Sequence, residues 1–173
     1  MSKKISYTSM FAVIIYILTL INIKLPFGYV HLGDAGILLA CYILPMPFAV
    51  FATALGSSMA DITLGYTAYA IPTFIIKGLM ALIIRSFVVR SNNKGLAMTG
   101  FVVASLFMHT GYLIFNSVMY GEALGIGVVL ANLSQTFVAI PLGYILLKSI
   151  NRVHSLRDTR EIWREKNESK SIM

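Results

Sequence analysis

Four ionisable residues stand alone inside or beside apolar runs: Asp34, Asp61, Lys77 and Glu122. An ionisable side chain at membrane depth costs roughly 2.5–3.5 kcal/mol on insertion scales, so such residues face a protein interior or a wet cavity rather than lipid. Uncharged polar residues fall into step with them. Tyr69, Thr73 and Lys77 are spaced i, i+4, i+8 and form one stripe of a helix, with Lys77 about 12 Å along the axis from Tyr69. His109, Tyr112 and Asn116 share a face at steps of three and four, and Asn132 and Gln135 share another. Three helices that place polar stripes at one depth describe a pocket of apolar and aromatic walls with a few placed polar groups, which holds a small ligand. Machinery for transforming a ligand is not legible. The sequence has no Walker-type glycine-rich phosphate loop, no His-Glu-x-x-His, no Gly-x-Ser-x-Gly and no catalytically spaced acids in the apolar runs. His31, His109 and His154 lack ligand spacing for a metal, and no cofactor is called for.

The elements that carry these stripes are membrane spans. The 173 residues are 57% hydrophobic and 12% charged, against about 25% charged for an average soluble domain. The first apolar run lacks a small-residue cleavage site and reads as a retained span. Cys41 is the one cysteine, which rules out an intrachain disulfide. The net charge of +7 sits in Lys3, Lys4, Arg85, Arg90, Lys94, Lys148 and the tail from Arg152 to Lys170. These clusters flank apolar runs, the pattern of cytoplasmic loops rather than of a nucleic-acid surface.

Six spans are expected: Ile5 to Ile23, Leu32 to Leu44, Phe48 to Leu64, Tyr69 to Val88, Leu96 to Met119 and Ala123 to Ile150. Pro45 and Pro47 separate the second from the third. The second is short of the roughly 20 residues a span needs, so neighbouring helices or a thinned bilayer must shelter it. Merging these two into one kinked helix would put the N-terminal lysines opposite the basic tail. The lysine and arginine bias therefore favours six spans with both termini cytoplasmic. Residues 1–150 form one transmembrane domain, and residues 151–173 form a basic cytoplasmic tail that extends the sixth helix or meets lipid or a partner. Lys24 to His31, punctuated by Pro26 and Gly28, reads as an external loop.

Each candidate also has a plainer role. Lys77 either lines the pocket or pairs with Asp61 or Asp34. Asn132 and Gln135 either contact a ligand or join helices. His109 is a ligand contact or a packing histidine, and Tyr69 and Tyr112 are platforms or interface anchors. Asp34, following Gly33 at a helix start, reads as an N-terminal cap. Asp61 meets the ligand or holds the Thr63–Thr67 turn, and Glu122 reads as an exposed loop residue. The small residues from Gly56 to Ala60 permit close helix approach.

Four motifs in order, Gly28-Tyr-Val-His-Leu-Gly-Asp34, Gly56-Ser-Ser-Met-Ala-Asp61, Gly65-Tyr66 and Pro72-Thr-Phe-Ile-Ile-Lys-Gly-Leu79, resemble those of the substrate-binding S components of energy-coupling factor (ECF) transporters. The likeness runs from about Ile5 to Ile150 and is greatest to the branch assigned to hydroxymethylpyrimidine or pyridoxine. It implies an all-α, six-helix subunit in a prokaryotic cell membrane that captures a small heteroaromatic B-vitamin or precursor from outside. It also implies partners, a transmembrane coupling subunit and two cytoplasmic ATPases, and no catalysis by this chain. Carried over by position, Phe27–His31 acts as a lid. Lys77, His109, Asn116, Asn132 and Gln135 then provide polar contacts, and Tyr69 or Tyr112 stacks on the ring; with His31, Asp61 and Thr73 they make up the expected substrate-binding set. Ser9, Ala12 and Val13 lie where the family's first helix meets the coupling subunit, with valine in place of the usual alanine. The alternative is a self-sufficient ion-coupled carrier or channel with Asp61 and Lys77 as a relay.

Overall fold

The computed structural model describes residues 2–25, 28–90, 93–150 and 163. Helices α1 (Ser2–Leu20), α2 (Gly33–Ile43), α3 (Met46–Thr63), α4 (Ala70–Arg90), α5 (Lys94–Tyr120) and α6 (Glu122–Ser149) account for most of them. A single 3-10 turn, Thr67–Tyr69, leads into α4.

The breaks between helices follow from local chemistry. Pro45 precedes α3 and Pro47 lies in its first turn, where a missing backbone donor costs nothing. Gly65 (φ 85°) turns the chain out of α3 and Gly121 (φ 92°) separates α5 from α6, conformations open to glycine without strain. The Asn93 side chain caps α5 by accepting from the Gly95 amide at 2.8 Å. Two expected boundaries move. Glu122 is exposed as expected but belongs to the first turn of α6, where its charge complements the helix dipole. The first helix stops at Leu20 rather than Ile23, because Asn22–Leu25 (β1) pairs antiparallel with Gly28–His31 (β2). The segment expected as a plain loop is therefore a hairpin. Its register sets Asn22 opposite His31 and Lys24 opposite Tyr29.

Packing runs in a closed circuit: α1 against α3, α3 against α4, α4 against α5, α5 against α6, α6 against α2 and α2 against α1. The short α2 also touches α3, α4 and α5, so it meets every other helix. Ten of its eleven residues are buried. A helix apolar on all sides belongs in such a centre, and at about 16 Å it is half the length of a bilayer core. The shelter expected for the short helix is thus provided by five neighbours. Gly56 lets α1 and α3 approach closely: a Cβ there would sit 2.5 Å from the Ala12 carbonyl oxygen.

Outward-facing side chains are apolar. Val118, Ile71 and Phe137 are 75% exposed or more, and Ile5, Val13, Ile17, Leu106, Ile126 and Leu130 are also exposed. A monomer in water does not present such a continuous apolar coat. Helices α1, α4, α5 and α6 are each long and apolar enough to cross a membrane. The chain is a helical, multi-pass membrane protein.

Candidate functional site

Alternating chain direction brings the end of α1, the hairpin, the start of α2, the end of α3, the start of α4, the end of α5 and the start of α6 to one end of the bundle. Tyr16 and Thr63 hydroxyls meet there at 3.1 Å, and Tyr69 stacks on Tyr120 with ring centroids 6.2 Å apart. The polar stripes converge below this end.

The deepest group is a buried ion pair. Lys77 Nζ on α4 donates to Asp34 Oδ1 on α2 at 2.5 Å, and Gln135 Nε2 on α6 donates to Asp34 Oδ2 at 2.5 Å. Met108 Sδ on α5 lies 2.8 Å from the same ammonium. All three polar residues are 2% exposed or less. Asp34 thus has both oxygens engaged and ties three helices at the centre. It is not the N-terminal cap expected from its position: Leu32 holds the cap position, with no side-chain cap bond. Of the two acids open to Lys77, the structure selects the one on the central helix.

Above the pair, α4 and α5 are zipped in antiparallel register. Each four-residue step from Lys77 to Thr73 to Tyr69 is matched by one from Met108 to Tyr112 to Asn116. Thr73 and Tyr112 hydroxyls bond at 2.9 Å, and the Tyr69 hydroxyl donates to Asn116 Oδ1. Asn116 Nδ2 is anchored in turn on the Tyr112 carbonyl at 2.8 Å. The i, i+4 spacing of both stripes requires this meeting once the two helices pack face to face.

The hairpin closes the outer end. The Tyr29 hydroxyl donates to Asp61 Oδ1 at the end of α3, and the Tyr29 ring stacks on Tyr66 with centroids 5.2 Å apart. Tyr66 is held by its own amide, which donates to the Asp61 carbonyl at 2.8 Å. Asp61 therefore both meets the hairpin and fixes the turn after α3. Burial and the Asp61 carboxylate raise the Tyr29 phenol well above its ordinary range. His31 is buried at the foot of β2, where its Nδ1 accepts the Gly33 amide at 3.0 Å. That bond needs a lone pair on Nδ1, so the ring is neutral with its proton on Nε2. Desolvation, partly opposed by Asp34, lowers the His31 pKa to about 4. Gly33 has no room for a side chain, since a Cβ would lie 2.9 Å from His31 Nδ1 and collide with Thr19.

Two side-chain atoms beside this strip are buried without a hydrogen bond: Asp61 Oδ2 and Asn132 Nδ2. Thr73 is the polar group next to Asp61. Asn132 precedes Gln135 by one turn of α6. Buried polar atoms left unpaired mark places where a partner is missing.

The structure thus brings Tyr69, Thr73, Lys77, Tyr112, Asn116 and Gln135 into one strip, with Asp61 reached through Thr73 and the hairpin. His31 supports the hairpin base through Nδ1, near enough to Asp34 and Lys77 to feel both charges. His109 bonds Thr136 at 3.1 Å, within the α5–α6 contact. On α1, Ser9 and Val13 are exposed, whereas Ala12 is buried against Gly56. Of the expected lid, Phe27 lies outside the described residues, and so does the basic tail from Asn151 to Met173 except Trp163. Trp163 packs edge-on against Tyr7 at 5.5 Å. Asp34 and Met108 join the strip without being among the expected site residues, and Tyr29 is the member of the expected lid that bonds Asp61. The isolation of Asp34 as an acid in an apolar run, rather than its place at a helix start, is the informative signal.

A family model described as ECF-type riboflavin transporter, S component, matches residues 1–152. The chain is also 31% identical over 140 residues to a protein of Pyrococcus woesei described as an uncharacterized protein in gap 3'region, covering 78% of this chain and 94% of that relative.

Proposed function

This chain belongs to the family of ECF-type riboflavin transporter S components, and on that premise we propose that it captures a flat heteroaromatic B-vitamin or precursor at the outer end of the bundle. Membership makes it a vitamin-binding transporter subunit rather than an enzyme. The ligand, the residues that hold it and the partners are our reading. The buried strip from Asp34, Lys77 and Gln135 up to Tyr69 and Asn116, roofed by the hairpin, is the observation that carries it. Those groups lie at one end of the bundle, among aromatic rings able to stack on a flat ligand.

In this reading all six helices are inserted, both termini are cytoplasmic, and the hairpin faces the exterior of a prokaryotic plasma membrane. Hydroxymethylpyrimidine and pyridoxine are candidate ligands from the motif likeness, and riboflavin is a third from the family model's description. Each has a planar ring with hydroxyl groups, which matches aromatic walls with scattered donors and acceptors. The exposed Ser9 and Val13 face of α1 is available to a transmembrane coupling subunit, with two ATPases supplying energy from the cytoplasm. The buried Ala12 acts beneath that face by setting the spacing of α1 and α3.

Calorimetry on the detergent-solubilised full chain, without ATP, tests the reading: at least one of the three vitamins binds and raises the melting temperature. No heat and no thermal shift with any of them refutes it. Vitamin flux in liposomes holding this chain alone would favour a self-sufficient carrier instead.

A further inference from the structure

The basic tail has one described residue, and that residue is docked. Trp163, the single tryptophan of the chain, is 7% exposed and belongs to the main cluster of buried apolar side chains. Its ring meets Tyr7 of α1 edge to face, with centroids 5.5 Å apart, a geometry that adds attraction beyond the area removed from solvent. A tryptophan at a membrane surface ordinarily turns its ring toward lipid headgroups; this one makes a contact within the chain. In the packing circuit α6 reaches α1 through α2. Trp163 supplies a second connection, from the chain beyond α6 back to the start of α1.

Where Trp163 sits on α1 gives the contact its meaning. Ser6, Ser9, Met10 and Val13 are exposed, whereas Thr8, Phe11 and Ala12 are buried. With 3.6 residues per turn, Tyr7 falls about 60° around the helix from Met10, between these two faces. Ala12 against Gly56 of α3 bounds the open face on one side, and Tyr7 with Trp163 bounds it on the other. A helix with its side chains is about 10–12 Å across. A partner helix laid along Ser9 and Val13 therefore also covers Met10 and reaches the Tyr7 edge, where it meets the indole.

We propose that Trp163 is an intramolecular clasp: it seats the tail on the flank of α1 while the chain stands alone, and it leaves Tyr7 when a transmembrane partner takes the open face. The inference rests on the reading above that this face meets a coupling subunit, and adds to it a competitor carried by the chain itself. The tail then weakens docking in proportion to the time it is seated. A clasp closed about nine-tenths of the time lowers the apparent affinity for the partner roughly tenfold.

The single tryptophan supplies the readout. With 5-fluorotryptophan incorporated, the detergent-solubilised full chain gives one fluorine resonance, from Trp163. That resonance should be shielded from a soluble gadolinium chelate in the wild-type chain and become accessible in Tyr7→Ala. Equal accessibility in the two overturns the docking. The unlabelled coupling subunit with its two ATPases, purified as one module from the source organism, is then titrated into the wild-type and Trp163→Ala chains. The module should shift the wild-type resonance and bind Trp163→Ala roughly tenfold more tightly. A resonance that keeps its position in the bound complex, or equal or weaker binding of the module by Trp163→Ala, overturns the clasp and leaves the coupling-subunit reading intact. No binding of the module to either chain overturns that reading and the clasp with it, whereas vitamin binding is decided by the calorimetry above. The wild-type resonance needs no variant, so poor folding of Trp163→Ala does not protect the proposal.

Discussion

Replacing Lys77 by methionine removes the one cation bonded to Asp34 while keeping the volume and the apolar stem. Both partners are 2% exposed or less, so neither water nor lipid headgroups can replace the lost charge. Breaking a buried pair from one side costs about 3–5 kcal/mol because an uncompensated charge remains. For a chain of this size each kcal/mol moves the melting temperature by roughly 2–4 °C, giving an expected drop of about 6–20 °C. The double variant Asp34→Leu with Lys77→Met separates charge from packing. It strands only the Gln135 amide, a loss of about 1–3 kcal/mol, and should therefore melt above Lys77→Met alone. The assay is thermal unfolding in detergent, followed by far-ultraviolet circular dichroism, without ligand. A Lys77→Met protein melting within a degree or two of wild type would show that the pair is not closed at the core. A double variant no better than the single one would refute the uncompensated charge as the cause.

The remaining expectations concern the roof and the helix contacts. His31 is neutral when folded, with a pKa of about 4 against 6.5 when exposed. Its contribution is complete above pH 6.5 and is lost as pH falls toward 4, to a total of about 3 kcal/mol. The wild-type melting temperature should therefore fall more steeply across that window than that of His31→Gln, and parallel curves would contradict the assignment. Tyr29→Phe leaves Asp61 with no phenol donor. It should speed ligand release and expose the hairpin to limited proteolysis, whereas unchanged rates would remove Tyr29 as the latch. Gly56→Ala sets a methyl 2.5 Å from the Ala12 carbonyl. Because that atom is backbone and cannot swing away, a destabilisation of about 1–3 kcal/mol is expected, and a neutral result would refute the close apposition of α1 and α3.

Much of the architecture is written in local chemistry. Apolar runs long enough to cross lipid, basic residues beyond their ends, and breaks at Pro45, Pro47, Gly65 and Gly121 are visible residue by residue, and helices follow from them. The stripes Tyr69–Thr73–Lys77 and Tyr112–Asn116 are legible too, since helical periodicity alone puts four-residue neighbours on one face. The hairpin is not. Its strands are four residues each, too short for alternation to stand out, and Pro26 and Gly28 read as loop.

The choice of partner for Lys77 belongs to the tertiary structure. Asp61 is nearer along the chain and Asp34 is 43 residues away, yet Asp34 wins because the shortest helix is drawn to the centre and carries its carboxylate there. Sequence alone names the ionisable groups and the depth at which they must find shelter. Only the packing of α2 among its five neighbours decides which two charges cancel, and so leaves Asp61 to hold the hairpin and the turn after α3.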